Sequence, residues 1–502
     1  MFKKWHKKLF FFALLLWSIE VAAAEEALDR TIWLERSRGT VYELLNKVSK
    51  ASGMQFIYEQ GVVQNDKKTR IASGSYTLRD ALLCITGEPE MQMRVIEEYV
   101  WLYKSSDRPK TASNKVVEGW VKDRRTREIL PSCSVELGVT GIRTVTNQEG
   151  RFVLKIPDSL QQEQIKISHI GYHLRKLPVA LFTQGTPEVY LDEAVVQLQE
   201  AVVRYVSPQK IIRELLDNRT NNYARQSAHL TAFYREGVEY ENTFASLTEG
   251  VCTIYKSGFG SGGEDQVKLL KMRKIDNRHD PDSVSLKIQA GVGASIILDM
   301  GRHLPDFLLP DRDNYYQYRR VGMERIDSML VHVVAFEQYP HIKEPLYRGL
   351  LYIDSDRWAL IKAEFEVNPR FVQQVGSAYI VKKSKKVDVQ PQKIKYTVSY
   401  QLWEGYFWIS HVRGDLDFKI KAKRRLFGGT NTVSAYFEMV TCEINTKEAP
   451  RFSGNERLPV GTIFSETRFT YDVTFWEHFN TITPEHKITD AVTKLLLTVE
   501  ER

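Results

Sequence analysis

The stretch WALIKAEFEV (358–367) decides how the largest part of this chain folds. Ala359, Ile361, Ala363, Phe365 and Val367 fall on one side of an extended strand, and Lys362, Glu364 and Glu366 fall on the other. A period of two with one apolar side marks a strand buried on one face and wet on the other. KIKYTVSYQL (393–402) repeats the pattern: Ile394, Tyr396, Val398, Tyr400 and Leu402 oppose Lys393, Lys395, Thr397, Ser399 and Gln401. One-sided strands belong to antiparallel sheets, because parallel strands are covered on both faces. Turn-forming words separate the runs: DSDR at 354–357 and WEG at 403–405, with FWISHVRGDLDFKIK returning. Residues 240–445 are therefore expected to form one large curved antiparallel sheet inside a β-rich domain spanning 207–502. A helix leads into it, with Ser207 as cap, Pro208 in its first turn, and Ile211, Ile212, Leu215 and Leu216 on its apolar side.

The apolar face raises the functional question. If it is open, Ile361, Phe365, Tyr396, Tyr400 and Leu402 are candidate ligand-lining residues, and an amphiphile is the ligand class that such a surface suits. If it is closed, the same residues pack against the helix at 208–218 and against DVTFWEHFN (472–480), leaving no room. Both readings stay open on the sequence. Tyr234, Arg235 and Glu236 form a candidate polar anchor beside the sheet; the plain alternative is a structural ion pair at a helix-to-strand joint. GLLYIDSDRWALIKAEFEV (349–367) is similar to the strand pairs of the lipoprotein-carrier fold, a half-closed barrel with an apolar inside. AFYRE (232–236) and YDVTFWEHFN (471–480) resemble uncharacterised carboxypeptidase-like outer-membrane proteins, a likeness that implies no chemistry.

Upstream, TVTNQEGRFVLKIP (144–157) reads as a hairpin turn between two extended runs, with Gly150 supplying a positive φ. Phe152, Leu154 and Ile156 give the second run one strongly apolar face. Gly119, Val121, Asp123, Pro131, Val135, Thr146, Gly150, Phe152 and HIGY (169–172) together resemble the carboxypeptidase regulatory-like domain over 116–195. That resemblance implies a prealbumin-like β-sandwich, which in enzymes stands beside a zinc domain as an accessory. Asn147 departs from it, since Asp is usual there. No H-E-x-x-H occurs in the chain, and His169 and His173 lie four apart in a strand-like run, where that spacing does not converge on a metal. No cofactor is expected.

A smaller unit precedes it over 28–104. TVYELLNKVSKASG and TLRDALLCITG each begin on a capping threonine, Thr40 and Thr77. An acid follows three residues on, Glu43 and Asp80, and each helix ends on a glycine, Gly53 and Gly87. Val41, Leu44, Leu45 and Val48 make one helical stripe, and Leu78, Ala81, Leu82 and Ile85 make the other. Short extended runs flank both, giving a two-layer α/β unit. It resembles the secretin/TonB short N-terminal domain, which implies protein–protein contacts on the periplasmic side of outer-membrane systems. QLQEAVVR (197–204) is similar to words in TonB-dependent receptors. Too few residues follow it, however, for a plug and a large barrel.

Residues 1–24 read as an export signal: a basic start, a short apolar run and small residues before a cleavage point near Ala24. The formal charge of +7 falls to +4 without that segment, which carries four lysines and one glutamate. So mild an excess gives no nucleic-acid footprint. Of the four cysteines, Cys252 and Cys442 sit in strand-like runs; free buried thiols are the plain reading, and a bridge between them is the alternative. GFGSGG (258–263) fits G-x-G-x-x-G but lacks the βαβ setting of a dinucleotide site, so a hairpin loop is expected. DNRHDPDS (276–283) reads as a solvated acidic loop. The sequence thus points to a multidomain, β-rich, exported envelope protein at the periplasmic face of the outer membrane. It would hold a small two-layer α/β domain, then a prealbumin-like β-sandwich, then a large curved antiparallel sheet with flanking helices. A non-enzymatic binding or adaptor role is expected, with envelope proteins as partners and a membrane surface or lipid as a candidate ligand. The alternative is a periplasmic hydrolase with the sandwich as its accessory.

Overall fold

The computed structural model describes residues 27–58, 63–64, 67–89, 91–96, 99–103, 114–182, 185–194, 206–241, 243–276, 287–288, 291–312, 314–376, 379–382, 387–422, 431–447, 449–459, 462, 464, 467 and 479–489. The expected export signal, QLQEAVVR, residues 277–283 and residues 471–478 lie outside them. By its contacts the chain separates into one unit of Met1–Ile129, Lys155–Ile165 and Lys176–Tyr190, and a second of Leu130–Leu154, Lys166–Arg175 and Leu191–Arg502.

In the first unit, helix α1 (Val41–Ser52) and helix α2 (Leu78–Thr86) carry the caps expected of them. Thr40 and Glu43 close a full capping box, Thr77 accepts from the Asp80 N–H, and Gly53 and Gly87 end the helices at φ of 74° and 68°. Their apolar stripes meet in one core with Val100 and Leu102. Three small sheets flank them. Thr31–Leu34 pairs with Gly74–Thr77, and Ser37–Thr40 pairs with Lys68–Ile71. Tyr99–Tyr103 lies between Gln55–Tyr58 and Gln92–Ile96.

The stretch 144–157 turns where expected but does not form a hairpin. Arg143–Val145 belongs to a four-stranded sheet with Ser134–Leu137, Gln164–Ser168 and Arg175–Pro178, whereas Arg151–Pro157 pairs in a three-stranded sheet with Asn114–Asp123 and Glu188–Leu191. The turn itself is closed: Asn147 N–H donates to the Arg151 carbonyl at 2.8 Å, and Asn147 Oδ1 accepts from the N–H groups of Glu149 and Arg151. Only an oxygen is needed there, so Asn serves in place of Asp. Thr146 diverts the upstream arm by donating its N–H to the Cys133 carbonyl and its hydroxyl to the Leu130 carbonyl.

In the second unit ten strands form one sheet. They are β1 (Ala228–Tyr240), β2 (Thr243–Lys256), β3 (Gln266–Asp276), β4 (Tyr316–Ile326), β5 (Met329–Gln338), β6 (Tyr347–Asp354), β7 (Leu360–Val367), β8 (Val387–Trp403), β9 (Tyr406–Ala422) and β10 (Asn431–Asn445). Their order is β3-β2-β1-β10-β9-β8-β7-β6-β5-β4, and every pairing is antiparallel. Glu404 and Gly405, at φ of 48° and 87°, make the tight turn between β8 and β9. Gly349 lets β6 and β7 approach, because a Cβ there would lie 2.1 Å from the Glu364 carbonyl oxygen. Helix α3 (Pro208–Asp217), capped by Ser207, buries Ile211, Ile212 and Leu215 in the same core as the sheet's apolar face. The four cysteines are free. Cys252 belongs to that core, while Cys442 sits in a small cluster with Phe233, Val440 and Ile482 on the opposite face, so the two are free buried thiols and no bridge joins them. Among the described residues no helix is long and apolar enough to cross a membrane.

Candidate functional site

Register fixes what each face of the sheet presents. Phe365 on β7 stands opposite Tyr396 on β8, and Tyr396 opposite Gly414 on β9, which in turn faces Phe437 on β10. Ile361, Phe365, Tyr396 and Tyr400 lie on this apolar face and are buried in one core. Leu402 does not join them. The register with β9 shifts between Ser399 and Tyr400, where β9 carries the extra residue Ser410, and near the end of β8 Leu402 is 40% exposed while Gln401 is buried. Burial pushes the phenols of Tyr396 and Tyr400 well above their ordinary pKa, and Asp299 adds to the effect on Tyr400, so both stay neutral donors.

The face is covered, in part by α3 as the closed reading expects. The other cover is residues 291–312, a stretch with no strand periodicity of its own. Phe307 enters from a single 3-10 turn (Asp306–Leu308) and is fully buried. Its ring stacks on Phe336 at 4.2 Å between centroids and meets Phe365 at 5.2 Å, with Tyr347 and Tyr316 edge-on at 6.0 and 6.2 Å. The Tyr318 hydroxyl donates to the Phe307 carbonyl at 2.6 Å, and Tyr316 donates to Asp306 at 2.7 Å.

Polar latches hold the upstream part of the cover. The Gly291 N–H donates to the Tyr234 hydroxyl at 2.6 Å, and that hydroxyl donates to Glu236. Asp299 takes Lys256 at 2.6 Å and the Tyr400 hydroxyl at 3.0 Å. Burial opposes the charge on Lys256, but Asp299 and Asp265 outweigh it and raise its pKa. Arg302 donates to the carbonyls of Ser257, Gly258 and Gly263. The GFGSGG loop, which joins β2 to β3, therefore turns acceptors toward a cation. That is the wrong polarity for a phosphate, which requires N–H donors.

Tyr234, Arg235 and Glu236 do not form one anchor. They sit in mid-strand on β1, so alternation sends Tyr234 and Glu236 to the apolar face and Arg235 to the other. There Arg235 is the centre of a row that the register builds across five strands: Arg273 on β3, Glu249 on β2, Arg235, Glu438 on β10 and Arg413 on β9. Arg235 Nε lies 2.7 Å from Glu249, Arg273 pairs with the same carboxylate, and Arg413 and His411 both reach Glu438. Burial opposes the charge of Glu438, yet Arg413 and the His411 hydrogen bond hold its pKa down to about 2. Arg235 also donates to the Ile482 carbonyl at 2.7 Å, with Glu485 at 3.8 Å, so residues 481–485 lie over the row. Beyond β9 this face opens into a charged groove of about 530 Å³ bordered by Arg319, Glu337, Arg348, Glu366, Lys393 and Lys395. Among the described residues no group of three or more His, Cys, Asp or Glu side chains is placed to hold a metal.

With this geometry in view, comparison with known proteins adds one family. Residues 117–203 match the CarboxypepD_reg-like domain. The CarboxypepD_reg-like match supports the sandwich read from the sequence, and no catalytic family accompanies it. No curated protein matches the sequence. Similar solved structures include a LolA superfamily protein from Nitrosomonas europaea, at 11% identity and a TM-score of 0.17, covering 49% of this chain and 96% of that one. A DUF1329 family protein from Desulfovibrio piger gives 8% identity, a TM-score of 0.22, and 49% and 96% coverage. A structure of lipovitellin, described by its lipid–protein interactions, gives 8% identity and a TM-score of 0.22, with 47% of this chain and 27% of that one covered. TM-scores this low leave function to be argued from the site.

Proposed function

We propose that the chain is an exported, non-enzymatic binding protein of the cell envelope, and that the apolar face of its large sheet receives the acyl part of an amphiphile. The observation that carries this reading is Phe307. It fills an aromatic box built by β4, β5, β6 and β7, yet it comes from a short non-strand segment rather than from the sheet. Such a side chain can be exchanged for another apolar group without breaking a strand pairing. Burying one Phe stabilises by about 1.5–3 kcal/mol and each buried methylene by about 0.8 kcal/mol, so an acyl chain of a few carbons matches what Phe307 loses on leaving. The Tyr316 and Tyr347 hydroxyls at the same box supply polar groups for a head group. Ile361, Phe365, Tyr396 and Tyr400 would line the path, with Leu402 outside it.

The remaining modules fit the same reading as adaptors. The N-terminal α/β unit, with its likeness to the secretin/TonB short N-terminal domain, would make protein contacts at the periplasmic face of the outer membrane. Native mass spectrometry of the mature protein purified from its host tests the binding claim. Retained lipid in the wild type, lost in a folded Phe365→Glu variant, supports it. A lipid-free wild type, with Phe365→Glu unfolding the domain, makes the face ordinary core. Fractionation of host cells tests the location, and recovery from the cytoplasm contradicts it.

A further inference from the structure

The ribbon of Ser37–Thr40 and Lys68–Ile71 in the first unit carries three cations that no described carboxylate pairs with. Its register sets Arg38 directly opposite Arg70, and Lys68 opposite Thr40. Alternation then places Arg38, Lys68 and Arg70 on one face, where all three are exposed. Like charges directly opposite each other destabilise a strand pair. Among the described residues no carboxylate forms an ion pair with any of the three. The nearby acid, Glu43, spends Oε2 on the Thr40 N–H at 2.9 Å in the capping box of α1. The three cations border a groove of about 630 Å³ together with Gly39, Thr40, Thr69 and the capping Glu43, so cations outnumber acids there by three to one. Both strands of the ribbon pair only with each other, so their outer edges meet no other described strand.

We propose that this groove docks an extended acidic segment of a protein partner. The repulsion between Arg38 and Arg70 is a cost in the free protein that an anion laid between them removes. A groove suits a chain better than a bilayer, which is flat and cannot enter it, and an extended backbone can use the unpaired edge groups that a lipid head group cannot. Exposed cations of this kind act through attraction that salt screens. The groove belongs to the first unit and the acyl site to the second, so neither proposal depends on the other.

The test uses the full mature chain and a fluorescein-labelled peptide of alternating Glu and Val, with a Lys and Val peptide as control. Anisotropy should show binding of the acidic peptide alone, weakening as salt rises. Arg70→Glu should cut that binding about tenfold. The same substitution should raise the thermal midpoint of the α/β unit, because a repelling cross-strand pair becomes an attracting one. A purely structural arginine would lower the midpoint instead. Absence of acidic-peptide binding overturns the proposal, as does equal binding by Arg70→Glu. Co-sedimentation with phosphatidylglycerol vesicles in the absence of peptide binding would assign the face to lipid and also overturn it.

Discussion

The two faces of the ten-stranded sheet are both buried over much of their extent, but by opposite means. The apolar face is closed by aromatic packing under residues 291–312, with Phe307 as its deepest insertion. The other is closed by alternating charge, Arg273, Glu249, Arg235, Glu438 and Arg413, under residues 481–485. Apolar contact has no direction and tolerates a change of occupant. A buried ion row does not: each member needs its opposite neighbour, and a slip of one residue turns the whole set to the wrong face. The difference teaches a division of labour. The charged face fixes the register of five strands, and that fixed frame leaves the apolar face free to exchange what it holds.

The largest expected effect breaks the charged face. Arg235→Met removes the central cation and leaves Glu249, in a dry site, with Arg273 as its remaining partner; loss of one partner of a buried pair costs about 3–5 kcal/mol. Equilibrium denaturation in urea reads that loss directly, and a change under about 1 kcal/mol would mean the row does not hold the sheet. Next comes pH. Glu438 has a folded pKa near 2, below its unfolded value, so its contribution is present above about pH 4.5 and drains as pH falls toward 2. The span amounts to roughly 3 kcal/mol and should show as a steep acid limb in stability measured against pH. Glu438→Gln should flatten that limb; an unchanged limb would place the acid sensitivity elsewhere. The smallest effect lies outside the comparison and calibrates it. Thr40→Ala removes one side of the α1 capping box and should cost about 1 kcal/mol, read as a lower midpoint for the α/β unit alone.

Much of this was legible in the sequence where local rules decide. Alternation in WALIKAEFEV and KIKYTVSYQL gave the strands and their faces, and the Thr and Gly signals gave α1 and α2 their ends. Where non-local pairing decides, local rules fell short. Alternation does not say where the cover of β8 stops, so Leu402 is exposed where the pattern puts it inside, and the parting of the arms of 144–157 depends on Thr146 reaching Leu130 and Cys133. Arg235 read as part of a local polar cluster because its partners lie on four other strands. Phe307 carries no periodicity at all; its only signal is the apolar FLL between Pro305 and Pro310.

The exchange of Phe307 for cargo is the central claim, and cis-parinaric acid titrated into wild type and Phe307→Ala measures it most directly. A plug that competes with ligand lowers apparent affinity by the fraction of time the box is occupied. Removing a ring worth about 1.5–3 kcal/mol should therefore tighten binding by roughly 10- to 100-fold, with the domain still folded. Contradiction would be no uptake by either protein, together with the loss of about 3–5 kcal/mol of stability that an ordinary core Phe→Ala substitution causes.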